Sequence, residues 1–172
     1  MIDIHIAKEE HIEALSELER AAAGLFSDID LPDHLRNETI SKQKLMDAQQ
    51  MGLLLVALED GTKPVGFAVT QKVGSILHLL ELDVHPNYQR QGIGTELMKN
   101  IDMLAQKNGC WSITLTTFRH VEWNAPWYER QGFRILRKDE ITEHLSNILA
   151  QEKAKGLDST RRVAMKKQIV SA

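Results

Sequence analysis

A single cysteine, Cys110, is present among 172 residues. An internal disulfide framework is thereby excluded, and an inert, partly buried thiol in a reducing compartment is the expectation. Long hydrophobic runs are also missing. No apolar stretch approaches the roughly 20 residues a helix needs to span a bilayer, and Met1-Ile2-Asp3-Ile4-His5 lacks the basic-then-apolar order of a secretory signal. Positive charge is not in surplus either: 21 Lys and Arg stand against 24 Asp and Glu, which gives no support to a nucleic-acid footprint. The seven histidines show no H-x-x-x-H or other close ligand spacing, so no dedicated metal site is expected. The expectation that remains is a cytoplasmic chain of ordinary composition, long enough to bury the core of one domain over residues 1–172, with neither membrane nor nucleic acid as partner.

Periodicity supplies the element order. Ile2, Ile4 and Ile6 alternate with polar neighbours as in a short strand. Ile12, Leu15, Leu18 and Ala22 share one face of a helix, residues 24–37 read as a loop with apolar anchors, and 39–50 as a second, weaker helix. The apolar runs 53–58 and 65–69 flank a turn-rich segment and predict a hairpin; a third run, 76–84, ends at His85-Pro86. Residues 92–107 form the strongest helix, closed by Asn108-Gly109. A β-branched strand over 113–117, a short helix over 125–131, a strand over 133–136, a helix over 139–153 and a last strand around Val163, Met165 and Ile169 complete an α/β pattern. The basic residues Arg161, Arg162, Lys166 and Lys167 read as a solvated strand edge.

The segment Leu82-Asp83-Val84-His85-Pro86-Asn87-Tyr88-Gln89-Arg90-Gln91-Gly92-Ile93-Gly94-Thr95 is the most informative. A strand ends, a short loop turns, and two glycines open an amphipathic helix. Such glycines let backbone approach an anion, and unpaired N–H groups at a helix start attract phosphate. A tight turn that merely needs two glycines satisfies the same spacing. A Rossmann fingerprint would place a third glycine where Leu97 stands, and a Walker A loop would need Lys-Ser/Thr after Gly94, where Thr95-Glu96 is found.

Gln89-x-x-Gly92-x-Gly94 after an apolar strand ending in Val84-His85-Pro86 resembles the coenzyme A signature of the GNAT superfamily of N-acetyltransferases. The later Tyr128-Glu129-Arg130-Gln131-Gly132-Phe133 resembles that superfamily's Tyr-x-x-x-Gly-Phe element, and the two stand in the right order. The resemblance implies a mixed, mostly antiparallel twisted sheet flanked by helices (an α+β variant of the α/β class), with a V-shaped splay between the fourth and fifth strands. It implies acetyl-CoA as co-substrate. Arg90, Gln91, Gly92, Ile93, Gly94 and Thr95, following Gln89, would wrap the pyrophosphate, while the backbone of Leu82, Asp83 and Val84 would pair with the pantetheine arm. An amine would attack the thioester directly in a ternary complex, with a backbone N–H near Val84 stabilising the oxyanion.

Such a transfer needs a base for the ammonium and an acid for the departing thiolate. Tyr128 matches the superfamily's acid; a core tyrosine is its bland alternative. For the base, His78 and Glu81 both stand as polar groups inside an apolar strand and remain alternatives, each also explicable as a structural pair. A regular pleat would put Glu81, three residues before Val84, on the opposite strand face from it, and a bulge would reverse that. Two departures from the superfamily pattern stand out. Relatives carry an Asn about seven residues before the tyrosine, where this chain has Val121. Asn124, four before it, either serves the coenzyme from a shortened loop or caps the helix that Pro126 begins. Residues 117–123 are unusually aromatic and charged, as an acceptor-site wall or a structural clamp would be. The acceptor is a small-molecule or peptide amine; Asp28, Asp30 and Asp33 lean towards a cationic one. A homodimer is compatible with the pattern. The rivals are a non-catalytic acyl-CoA-binding module and a transferase for a different acyl group.

Overall fold

The structure, a computed structural model, describes residues 1–170. The alternating isoleucines form β1 (Ile2–Ile6). The amphipathic helix α1 (Ile12–Ala23) buries Ile12, Leu15, Leu18 and Ala22, and α2 (Lys42–Gln50) begins at Ser41, whose hydroxyl accepts the Lys44 N–H. The continuous apolar run becomes β2 (Leu54–Glu59), buried on both faces, followed by β3 (Lys63–Val73) and β4 (Ile76–Val84) in a meander. Next come α3 (Ile93–Lys107), β5 (Ser112–Phe118), α4 (Ala125–Arg130), β6 (Arg134–Ile135), α5 (Glu143–Lys155) and β7 (Arg162–Gln168).

Seven strands make one sheet in the order β1-β2-β3-β4-β5-β7-β6, antiparallel throughout except between β4 and β5. That parallel pairing lasts only from Ile76 to His78 against Ser112 to Thr114. Beyond it β4 continues to Val84 and β5 to Phe118, with β5 held along its other edge by β7. The two strands therefore part, and the edge of β4 past His78 is left without a strand neighbour among the described residues. This is the splay expected between the fourth and fifth strands.

Register fixes which side chains share a face. A Cβ on Gly66 would meet Ile93 Cγ2 at 3.4 Å, so Gly66, Ala68 and Thr70 face α3. Their partners Val84, Leu82 and Leu79 face it too. The register shifts between Val69 and Thr70, whose partners are Glu81 and Leu79, leaving Leu80 as the extra residue of a β-bulge. Because Glu81 and Asp83 oppose Val69 and Phe67 while His78 opposes Gln71, all three lie on the face away from α3. A regular pleat would have separated His78 from Glu81.

Three details differ from the sequence expectation. β3 runs on to Val73 beyond the apolar run, because Gln71 and Lys72 continue the ladder with β4. α5 begins at Glu143 rather than 139, since the Thr142 hydroxyl accepts the Leu145 N–H and a separate 3-10 turn occupies Lys138–Glu140. The basic residues near the C-terminus do not form a solvated edge. β7 sits between β5 and β6, Arg162 is half-buried against Glu152 at 2.8 Å, and Lys167 reaches Asp102 on α3 at 2.7 Å.

Candidate active site

Where β4 and β5 part, a cleft of about 730 Å³ opens through the sheet. Its α3 side is built by the strand-to-helix connection. His85 begins a single 3-10 turn over Pro86–Tyr88, accepting the Asn87 N–H on Nδ1 at 3.2 Å. Tyr88 then pins the loop to the β2–β3 hairpin: its hydroxyl donates to Glu59 Oε2 at 2.6 Å and accepts from Lys63 Nζ at 2.9 Å. The chain next turns through two left-handed residues, Arg90 at φ +59° and Gly92 at φ +81°. Left-handed backbone disfavours side chains, so Gly92 is there to make the turn.

The first hydrogen bond of α3 runs from Glu96 N–H to Gly92 C=O at 3.0 Å. Ahead of it, the amides of Arg90, Gln91, Gly92, Ile93, Gly94 and Thr95 have no hydrogen-bond acceptor among the described residues. Unpaired donors at the positive end of a helix macrodipole form a ready anion site. Gly94 has a different reason to be glycine. A Cβ there would meet the Trp127 indole at 3.3 Å and Leu82 Cδ2 at 4.0 Å, so its absence lets α4 seat against the loop.

The opposite side of the cleft carries titratable groups. Glu81 and Asp83 from β4 meet Glu19 from α1 in the lining. Burial pushes Glu81 up to about 7, with nearby Arg162 opposing the shift. Burial, and then the charge of Glu81, lifts Glu19 to about 8, although its carboxylate accepts the Ile40 N–H at 3.0 Å. Asp83 is raised well above the usual carboxylate range, first by burial and then by Glu81 and Glu19. Desolvation disfavours the charged form of each, and every ionised neighbour adds to the cost. Tyr128, only 8% exposed, is raised above the ordinary tyrosine range by burial and by the same carboxylates. Its ring packs edge-on against Trp127 and Phe133, while its hydroxyl has no hydrogen-bond partner among the described residues.

Not every residue singled out from the sequence reaches the cleft. His78 is 2% exposed and absent from the lining; its Nδ1 shares a hydrogen bond with Thr114 Oγ1 at 2.9 Å and its ring meets His144 edge-on. Burial and then His144 lower it to about 4, so it is neutral at physiological pH. Asn124 does line the cleft. It stands at the N-cap position of α4, yet its side chain makes no cap: Oδ1 reaches back to accept from Thr117 Oγ1 at 2.7 Å and from the Phe118 N–H at 3.4 Å. The loop acids Asp28, Asp30 and Asp33 are outside the lining and held elsewhere, Asp30 by Arg161 at 2.7 Å and the other two by Arg36.

Segment 117–123 does form a wall. Phe118 and Trp123 close around Phe26, with ring centroids 5.2 and 5.6 Å apart. Glu19, Glu152, Arg162 and Trp127 also line the cleft, and none of them is marked as a site residue by the sequence. Arg162 donates to both carboxylate oxygens of Glu152 at 3.0 and 2.8 Å, and Thr116 Oγ1 donates to Glu152 at 2.6 Å. Only a charged residue at a core-facing helix or strand position could have flagged Glu19 and Arg162 in advance; nothing local marks Glu152.

The family model described as an acetyltransferase (GNAT) domain matches residues 50–135, from the end of α2 through β6. Among solved structures, the chain is similar to the PaiA N-acetyltransferase of Thermoplasma acidophilum in complex with coenzyme A, at 23% identity and a TM-score of 0.71, covering 98% of this chain and 99% of that one. It is similar to the ribosomal-protein-S18-alanine N-acetyltransferase of Escherichia coli, at 23% identity and a TM-score of 0.68, over 100% of this chain and 96% of that one. It is also similar to part of the N-acetylglutamate synthase of Neisseria gonorrhoeae complexed with coenzyme A and N-acetyl-glutamate, at 16% identity and a TM-score of 0.73, over 99% of this chain and 35% of that one. At such identities the likeness is one of fold.

Proposed function

The chain belongs to the GNAT acetyltransferase family, and from that membership we propose that it transfers the acetyl group of acetyl-CoA to a primary amine by direct attack in a ternary complex. The observation that carries this reading is the convergence on one cleft of the unpaired amides Arg90 to Thr95, the free edge of β4, and the side chains Glu81 and Tyr128. The amides, with Gln89 and Arg90 beside them, suit a diphosphate. The backbone of Leu82, Asp83 and Val84 suits the amide-bearing pantetheine arm, which would lie as an added strand, and the Asn124 side-chain amide stands where it could reach that arm.

In the proposed chemistry Glu81 takes a proton from the acceptor ammonium. A carboxylate lifted to about 7 is a stronger base than an ordinary one, and about half of it is ionised at neutral pH. The freed nitrogen forms a bond to the thioester carbonyl carbon, and an amide of the β4 edge near Val84 holds the oxyanion. The C–S bond then breaks as the coenzyme thiolate takes the proton of the Tyr128 hydroxyl, and the surplus proton that the nitrogen sheds on becoming an amide restores that hydroxyl. Tyr128, neutral and with its hydroxyl unengaged among the described residues, has that proton to offer the sulfur. His78, neutral and enclosed, is given a structural role beneath the strand.

The test is thiol release from acetyl-CoA in the presence of an amine panel, with coenzyme binding followed by calorimetry. Tyr128→Phe is expected to cut kcat by roughly a hundredfold, within the range of general acid catalysis, and to leave acetyl-CoA affinity unchanged. Binding without turnover for any amine would favour an acyl-CoA-binding module. Preference for a longer acyl-CoA in competition would reassign the acyl group.

A further inference from the structure

The chemistry just proposed uses one of three half-buried carboxyls. Glu19 and Asp83 line the same cleft, on the face of the sheet away from α3, and have no part in it. None of Glu19, Glu81 and Asp83 forms an ion pair with a described residue. The cations of that half of the cleft are engaged elsewhere, Arg162 with Glu152 at 2.8 Å and Lys155 with Glu38 at 3.3 Å. Three carboxyls withdrawn from water without a cation are costly, and the cost is relieved only by protonation or by a bound positive charge.

A second observation points the same way. Phe26, Phe118 and Trp123 stand at this end of the cleft, and the Phe118 ring already takes the Arg162 guanidinium at 4.4 Å. Aromatic faces beside carboxylates attract cations. Tyr128, 8% exposed, also lines the same space, and its hydroxyl has no partner among the described residues. The roof is fixed rather than open. Asp30, 8% exposed, is tied to Arg161 at 2.7 Å, and His34 shares a hydrogen bond with the Lys155 carbonyl at 2.7 Å, which strap the segment after α1 to the end of α5 and to the residue preceding β7. A slender ligand fits under such a roof better than the end of a folded chain.

We propose that Glu19 and Asp83 form a counter-charge subsite beyond Glu81, so that the acceptor is a small linear amine carrying a second ammonium group. This rests on the reading of Glu81 as the base, since the reacting nitrogen must sit there while the second charge lies against Glu19 and Asp83. An acceptor bearing a carboxylate in that position would bring no positive charge to offset the burial of Glu19 and Asp83, and would meet like charge wherever either is ionised.

Calorimetry of the full chain with a linear butanediamine, with butylamine and with an aminobutanoate tests the proposal, and thiol release with the same three amines accompanies it. The diamine is expected to bind roughly tenfold or more tightly than the monoamine, as one added charge contact in a low-dielectric cleft would give. The aminobutanoate is expected to bind more weakly than either. Glu19→Gln keeps an acceptor for the Ile40 N–H and should bring the diamine down to the monoamine's affinity while acetyl-CoA affinity stays the same. Asp83→Asn should also erode the diamine preference, and serves as the check if Glu19→Gln folds poorly. Equal affinity for diamine and monoamine, no binding of either, or a preference that survives both variants overturns the proposal. Failure of acetyl-CoA to bind would instead strike the coenzyme reading, and the amine comparison would still decide the subsite.

Discussion

Glu81, Asp83 and Glu19 show how one desolvated site alters the meaning of a residue type. Each is an ordinary acid by sequence; burial lifts all three, and the charge of Glu81 adds to the rise of Glu19 and Asp83. For Glu81 the consequence is kinetic. As the base it must be ionised, so kcat/KM should rise with pH below about 7 and level above it. Because the three carboxyls titrate together, that limb is a property of the group. Glu81→Gln should flatten it along with a large loss of rate, and a limb that persists unchanged in the variant would contradict the assignment.

For Glu19 the consequence is stability. Its folded-state value, about 8, lies above the ordinary 4.5 of the unfolded chain. The folded state therefore holds the proton more tightly. The stability linked to that proton is complete at pH below the ordinary value and is lost as pH rises through the folded one. Glu19→Gln cannot ionise, so its melting temperature should exceed that of the parent at about pH 9 and match it at about pH 4. Equal melting curves at both ends of the range would show that this carboxyl is not desolvated as described.

At the scale of elements, the loop between β4 and α3 is held by few bonds, and Tyr88 supplies two of them to the β2–β3 hairpin. Removing the hydroxyl in Tyr88→Phe should loosen the turn that sets the free amides. The expected result is a rise of roughly three- to tenfold in KM for acetyl-CoA with kcat little changed, in line with the loss of hydrogen bonds to charged partners. Steady-state kinetics at saturating amine would separate the two constants.

Much at this scale was legible. The alternation in β1, the amphipathic face of α3, and the glycines at 92 and 94 express local rules, and local rules are readable from neighbours a few residues apart. The bulge at Leu80 was not readable, because an apolar residue between Leu79 and Glu81 looks like a continuing strand, and only the register against β3 exposes the slip. The basic residues of β7 failed for a similar reason. Whether a strand is an edge depends on partners brought from far along the chain, and here β6 lies outside it while Glu152 and Asp102 supply countercharges. Asn124 suits two roles by position alone; its side chain makes no cap, because Thr117, which β5 presents seven residues earlier, and the Phe118 N–H take its Oδ1.

For the molecule as a whole, one topological event governs the site. A sheet that is antiparallel elsewhere contains a single parallel pair, which is short and splays. That splay frees a strand edge, opens the cleft through the sheet, and sets the phosphate-suited loop on one face and the carboxyls on the other. The fold was anticipated from two short signatures, because residues that shape a strand-to-helix turn also dictate what precedes and follows it. The acceptor end was not, because its walls come from α1, the loop after it, the end of β5, α5 and β7, which meet only in three dimensions.

Backbone hydrogen exchange on the full chain, with and without saturating acetyl-CoA, tests the central claim most directly. The amides of Arg90 to Thr95, which have no acceptor among the described residues, are predicted to exchange rapidly in the free protein and to become protected when the coenzyme's diphosphate supplies one. Saturation that leaves those amides as fast as before, with protection appearing elsewhere or nowhere, would contradict the account.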